Sequence, residues 1–185
     1  MSSVLDNPAI RESALRLGVD QYHRLCEAGI IPEKTELLSG IVVSKMGKSP
    51  LHTWTVEFLA DWLRGCSLDG FSVRVEQPLT LVESEPEPDV AVVEGSRDNY
   101  RTSHPVSARL VIEVAVSTED VDREKTSIYA AAGVSEYWLV LPQQHKVVVF
   151  RNPSEGVYAE QSSAELNGTL NWQGATLSLA DVFKK

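Results

Sequence analysis

The sequence predicts an α/β fold with a mixed central sheet flanked by helices, and three observations predict it. Between residues 110 and 141 a strand, a helix and a second strand follow one another, the order of a right-handed βαβ crossover. Hairpin-like pairs of β-rich runs lie on either side, which adds antiparallel neighbours and makes the sheet mixed. The stretch SPLHTWTVEFLADWLRG, residues 49 to 65, is a long amphipathic helix whose apolar stripe must lie on that sheet. With 185 residues and 43% hydrophobic content, the chain can bury one substantial core and is too short for two. A single domain over 1–185 is therefore expected, with N-terminal helices at 9–29, a core from about 35 to 150 and a β-rich C-terminal part at 151–185.

In chain order, residues 9–18 and 19–29 read as two short helices, the second stopped near Gly29. TELLSGIVVSKM is two β-rich runs across Ser39 and Gly40, a hairpin pattern. In the long helix, Leu51, Trp54, Thr55, Phe58, Leu59, Trp62 and Leu63 recur at helical spacing, Ser49 suits the cap and Pro50 the first turn. That periodicity assigns Trp54 and Trp62 to the core, as strand periodicity does Trp138. FSVRVEQPLTLV reads as two strands, or as one broken at Pro78. PDVAVVEG is another strand. The loop-like segment 95–109 carries Arg97, Arg101 and Arg109 against Asp98. After it come the strand LVIEVAV, the helix TEDVDREKTSIYAAAG and the strands EYWLVL and KVVVFR. Short β runs follow, with turns at Gly156, Asn167 with Gly168, and Gly174.

Composition excludes several function classes. The formal net charge of −9 opposes non-specific adhesion to nucleic acid or anionic membranes. No apolar run is long enough to span a bilayer, and the N-terminus lacks a signal-peptide pattern, so a soluble cytoplasmic protein is expected. Cys26 and Cys66 have no CxxC partner and read as reduced thiols in or near the core. The four scattered histidines form no HExxH pair, which argues against a zinc hydrolase. His52, near a helix N-terminus, is placed to contact phosphate, but reads first as an ordinary surface histidine.

Two charges stand out against this background. Glu113 sits inside LVIEVAV, a strand whose apolar run indicates cover on both faces, and an unpaired carboxylate there costs several kcal/mol. Lys125 falls on the apolar stripe of the next helix with Val121, Ile128, Tyr129 and Ala132, opposite the polar face of Asp122, Arg123, Thr126 and Ser127. A structural ion pair, or a lysine that extends its ammonium to the rim, accounts for these two residues alone. A third residue favours chemistry: Asp89 follows Pro88 at the start of a strand in PLTLVESEPEPDVAVVEG, where Glu83, Glu85 and Glu87 read as solvated loop acids. Two carboxylates and a lysine at adjacent strand ends suit a hard divalent ion and a phosphate.

These pieces resemble the PD-(D/E)XK nuclease superfamily and, within it, the Uma-type restriction endonuclease family. The matching segments are TELLSG with Glu36, SPLHTWTVEFLADWL, EPEPDVAVV with Asp89, LVIEVAVST with Glu113, DREKTSIYAAAGVSEYWLV with Lys125, and LADVF, together roughly residues 15 to 183. The resemblance implies a restriction-endonuclease-like fold, Mg²⁺ or Mn²⁺ at Asp89 and Glu113, and hydrolysis of DNA phosphodiester bonds. Lys125 would position or activate the nucleophile, with Glu36 as a further acid and Gln77 as a neighbour. Two departures stand. Ala115 occupies the position where the superfamily's simplest pattern has its lysine, so Lys125 of the next helix takes that place, and VAVSTED lacks the Ser-Pro-Ser-Thr form of the family. Lys45, Lys48, Arg97 and Arg101 are the expected phosphate contacts, and a homodimer suits cleavage of both strands. The alternative is a catalytically degenerate nuclease fold that serves as a binding or regulatory module; RNA is a weaker substrate reading.

Overall fold

The computed structural model describes residues 7–184, so expectations for the first six residues and for Lys185 lie outside the described residues. The first helix, α1 (Pro8–Ser13), starts where the Asn7 side chain accepts from the Ala9 N–H. It stops well short of residue 18. From Ala14 the backbone is extended, because the Leu17 N–H and the Arg16 guanidinium bond the carbonyls of Gly40 and Ser39 in the hairpin turn. Gly40 is required there, since a Cβ would stand 2.5 Å from that of Arg16. Helix α2 (Val19–Glu27) follows and ends before Gly29, whose φ of +68° is left-handed.

Strands β1 (Thr35–Leu38) and β2 (Ile41–Ser44) form the expected hairpin. Helix α3 (Pro50–Arg64) begins where Ser49 accepts from the His52 N–H, as the sequence predicts. A six-stranded sheet follows from β3 (Phe71–Val75), β4 (Val90–Glu94), β5 (Leu110–Val114), β6 (Glu136–Leu141), β7 (Lys146–Ser154) and β8 (Val157–Glu165), in spatial order 3-4-5-6-7-8. Only β5 and β6 are parallel, joined by α4 (Glu119–Ala131); every other neighbour is antiparallel. A small hairpin, β9 (Thr169–Trp172) and β10 (Ala175–Ser178), and the short α5 (Leu179–Val182) complete the chain. A mixed central sheet flanked by helices is therefore the fold. Among the described residues no helix is long and apolar enough to cross a membrane.

Alternation along the strands divides the core in two. Val90, Val92, Leu110, Ile112, Val114 and Trp138 face α3 and the C-terminal hairpin, while Ala91, Val93, Val111, Tyr137 and Leu139 face α4. Glu113 belongs by alternation to the α4 face.

The stretch FSVRVEQPLTLV forms one strand, not two. Pro78 has no N–H to donate to a ladder, and residues 79–86 close on themselves instead: the Leu79 N–H bonds the Pro86 carbonyl and the Leu81 N–H that of Ser84. The loop touches β1 through paired bonds between Leu37 and Glu85. Trp54 is also not core. It is 41% exposed and stacks on Phe58, whereas Trp138 is wholly buried. Cys26 and Cys66 are free and half-buried.

Truncation of the two tryptophans should separate them. Trp138→Ala is expected to cost about 3–5 kcal/mol in urea unfolding and Trp54→Ala less than about 1 kcal/mol; equal midpoints for both variants would contradict this core.

Candidate active site

Strand register brings the acids together. In the β4/β5 ladder Val90 pairs with Ile112, so one step further Asp89 stands across from Glu113. In the β3/β4 ladder Val75 pairs with Val90, and one step further Glu76 stands across from Asp89, its N–H donating to the Asp89 carbonyl at 3.1 Å. Glu76, Asp89 and Glu113 thus form a row across three strand ends. Like charges in adjacent strands repel, so such a row calls for cations.

At the Glu113 end the cation is Lys125. Its ammonium lies 3.0 Å from Glu113, 3.1 Å from Glu36 and 3.4 Å from Asp122, and the lysine side chain is 5% exposed. Tyr129 donates to the same Glu113 oxygen at 2.7 Å, and the Glu87 N–H donates to Glu36 at 2.7 Å. Burial works against charge on Lys125, but Glu113, Glu36 and Asp122 outweigh it and raise its pKa, so the group is an ammonium at neutral pH. Burial raises the Glu113 pKa well above the usual carboxylate range; Lys125 pulls it back, and Asp122, Asp89 and Glu36 push it further up. Tyr129, raised by burial and then by Glu113, stays a hydrogen-bond donor.

Asp89 is anchored by its neighbour strand. Its Oδ2 accepts from the Val114 N–H at 2.7 Å, its own N–H faces Glu113 Oε2 at 3.4 Å, and its Oδ1 lies 3.1 Å from His52 Nε2. His52, Glu76 and Asp89 each present one ligand atom within 4.8 Å of the others. Glu76 holds a left-handed φ of +52°, a conformation that non-glycine residues keep at a cost and that often marks a functional site. Burial lowers the His52 pKa, but the hydrogen bond and charge of Asp89 and the charge of Glu76 prevail and raise it.

The cleft, about 120 Å³, is lined by these groups and by Lys45 and Lys48. Both lysines are already paired, Lys45 with Glu87 and Lys48 with Glu76, the latter at 2.6 Å. Arg97 and Arg101 are not in the cleft. They follow the far end of β4, about 16 Å along the strand from Asp89, and Arg101 pairs with Asp98. Gln77 is exposed and does not line the cleft. The loop acids differ from expectation: Glu83 is exposed, but Glu85 is buried against His23 and Thr80, and Glu87 is half-buried. Their backbone crosses under β1, which excludes water from Glu85. His52 is likewise 14% exposed rather than a surface residue.

Three members were missed by the sequence reading: His52, Glu76 and Asp122. Helical spacing put Asp122 on the polar face, yet it is 5% exposed and Val121 is 40% exposed, because Lys125 draws its i−3 neighbour inward and Thr118 donates to it at 2.5 Å. The position of His52 three residues after the capping Ser49 was the signal available for it. For Glu76 none existed before the register was known.

A family model named Uma2, described as "Putative restriction endonuclease", matches residues 19–183. No curated protein matches the chain significantly. Among solved structures, one described as a "putative nuclease belonging to DUF820" from Anabaena variabilis superposes with a TM-score of 0.72, at 17% identity over 90% of this chain and 97% of that one. At that identity the likeness carries the fold.

Two outcomes follow from the charges. Lys125→Met leaves three carboxylates facing one another and is expected to cost about 3–5 kcal/mol in urea unfolding, with Glu113→Gln in the same chain restoring part of the loss; an unchanged midpoint would refute the role of the ammonium. By NMR titration His52 should ionise above about 6.5, its unfolded value, and lower in Glu76→Gln. Its folded pKa being raised, the stability it contributes is full below about pH 6.5 and is lost as pH rises through the folded pKa, a slope that His52→Gln lacks. A folded pKa at or below the unfolded one would refute this.

Proposed function

Since the chain belongs to the Uma2 restriction endonuclease family, whose model spans residues 19–183, we propose that it is a divalent-metal-dependent nuclease that hydrolyses phosphodiester bonds of DNA. The observation that carries this reading is the convergence of Asp89, Glu113 and Lys125, from three separate elements, on one cleft. The donor set fits a divalent ion: six carboxylates line the cleft against three lysines, and Glu113 Oε2 has only the weak 3.4 Å bond from the Asp89 N–H. Asp89 and Glu113 would hold Mg²⁺ or Mn²⁺, which supplies positive charge to polarise a phosphodiester and acidify water.

The protein's own residues account for the rest. Lys125, an ammonium held by Glu113, Glu36 and Asp122, would position the phosphate and stabilise charge that grows in displacement. Glu36 and Tyr129 orient it and Glu113 by hydrogen bonds. Lys45 and Lys48, on the segment between β2 and α3, meet the phosphates when released from Glu87 and Glu76. Their small number, with a net charge of −9, makes binding weak. A homodimer would provide one such cleft for each strand of a duplex.

Plasmid incubated with Mn²⁺ should be cut by the wild type and at least about 100-fold more slowly by Asp89→Asn and Lys125→Ala. Melting curves check that the variants fold, and sedimentation checks the dimer, which a monomeric mass would remove. Equal cutting by all three proteins, or none by the wild type over a wide salt range, would overturn the nuclease reading and leave a non-catalytic binding module.

A further inference from the structure

We infer that His52, Glu76 and Asp89 form a second divalent-metal position, which shares Asp89 with Glu113 and takes a first-row transition ion in preference to Mg²⁺. The inference rests on the proposed function only in that Asp89 is common to both positions.

Four observations carry it. The three donor atoms lie within 4.8 Å of one another, close enough to bind one ion after small rotations. Asp89 divides its oxygens: Oδ2 is held by the Val114 N–H, and Oδ1 is turned to His52 at 3.1 Å. Glu76 lines the cleft from a left-handed backbone position, which a non-glycine residue holds at a cost. A cation already stands at this carboxylate pair, since the Lys48 ammonium lies 2.6 Å from Glu76. The lysine is on a connecting segment with 40% exposure, so it can withdraw. Entry of an ion would thus displace Lys48 from Glu76 and free it towards solvent and substrate phosphate.

The donor chemistry sets the class of ion. Mg²⁺ and Ca²⁺ favour shells made of oxygen alone, whereas an imidazole nitrogen suits Mn²⁺, Co²⁺, Ni²⁺ or Zn²⁺. The α3 N-terminus holds the His52 backbone, its Nε2 is turned to Asp89 at 3.1 Å, and its Nδ1 is buried without a hydrogen-bond partner.

Calorimetric titration of the full chain with Mn²⁺ and separately with Mg²⁺, without DNA, tests the site. The set is wild type, His52→Gln, Glu76→Gln, Glu113→Gln and Lys48→Met, with melting curves as the folding control. A Mn²⁺ equivalent that weakens at least tenfold in both His52→Gln and Glu76→Gln but persists in Glu113→Gln supports the inference, as does a Mn²⁺ over Mg²⁺ preference that shrinks in His52→Gln. Lys48→Met, lacking the resident ammonium, should bind Mn²⁺ several-fold more tightly. A single equivalent lost only in Glu113→Gln would overturn the second position and leave the proposed function intact. A single equivalent lost only in the His52 and Glu76 variants would support this position and remove Glu113 as a ligand. Absence of any binding would overturn both.

Discussion

One ammonium, buried among Glu113, Glu36 and Asp122, is the interaction on which the rest of the cleft depends. Each of those carboxylates comes from a different place: a central strand, an outlying hairpin and the first turns of a helix. Apolar packing fixes the sheet and its two covering helices, but packing is indifferent to where a carboxylate points. Coulomb attraction in a medium of low polarity is not, and it draws the three acids to a common centre that packing alone would scatter. The hairpin carrying Glu36 is tied to the rest of the molecule by this lysine, by the Glu87 N–H and the Leu37 bridge to Glu85, and at its turn by the Gly40 N–H on the Glu83 carbonyl and the Ser39 N–H on Ser84.

The second constraint is register. Antiparallel pairing on both sides of β4 aligns Glu76, Asp89 and Glu113 in a row, and the parallel step from β5 to β6 brings α4 over the same strand ends. Lys48 and Lys125 stand at the two ends of that row, whereas the oxygens of Asp89 at its centre are held by a backbone N–H and an imidazole. A cleft in which six carboxylates face three lysines is well suited to hold something of opposite charge.

Much of this was legible in the sequence. Glu113 declared itself by interrupting an apolar strand, Lys125 by lying on the buried stripe of its helix, and Ser49 with Pro50 by marking a helix start. Each is a local conflict between residue type and pattern, and local conflicts survive without knowledge of the fold. Glu76 is different. Its place depends on which residue of β3 faces which residue of β4, across a loop of irregular backbone, and no spacing rule carries across such a loop. Asp122 and Trp54 were misplaced for a simpler reason: helical periodicity reports the average facing of a stripe, and at the edge of the stripe one strong contact, or the end of the sheet beneath, decides. Arg97 and Arg101 formed a basic segment in one dimension that the length of a single strand carried away from the acids.

The excursion from residue 76 to 89, closed upon itself and tied beneath β1, bears on how the molecule comes into being. Glu36, the acids of the row and the ammonium are drawn from segments distributed over some ninety residues of chain, and the full set exists within no single hairpin or helix. A polypeptide emerging from synthesis carries the acids before it carries Lys125, and until then the ammonium that joins Glu36 to Glu113 is missing. The cleft is therefore a property of the assembled sheet with its hairpin and helices, and of no one of these alone.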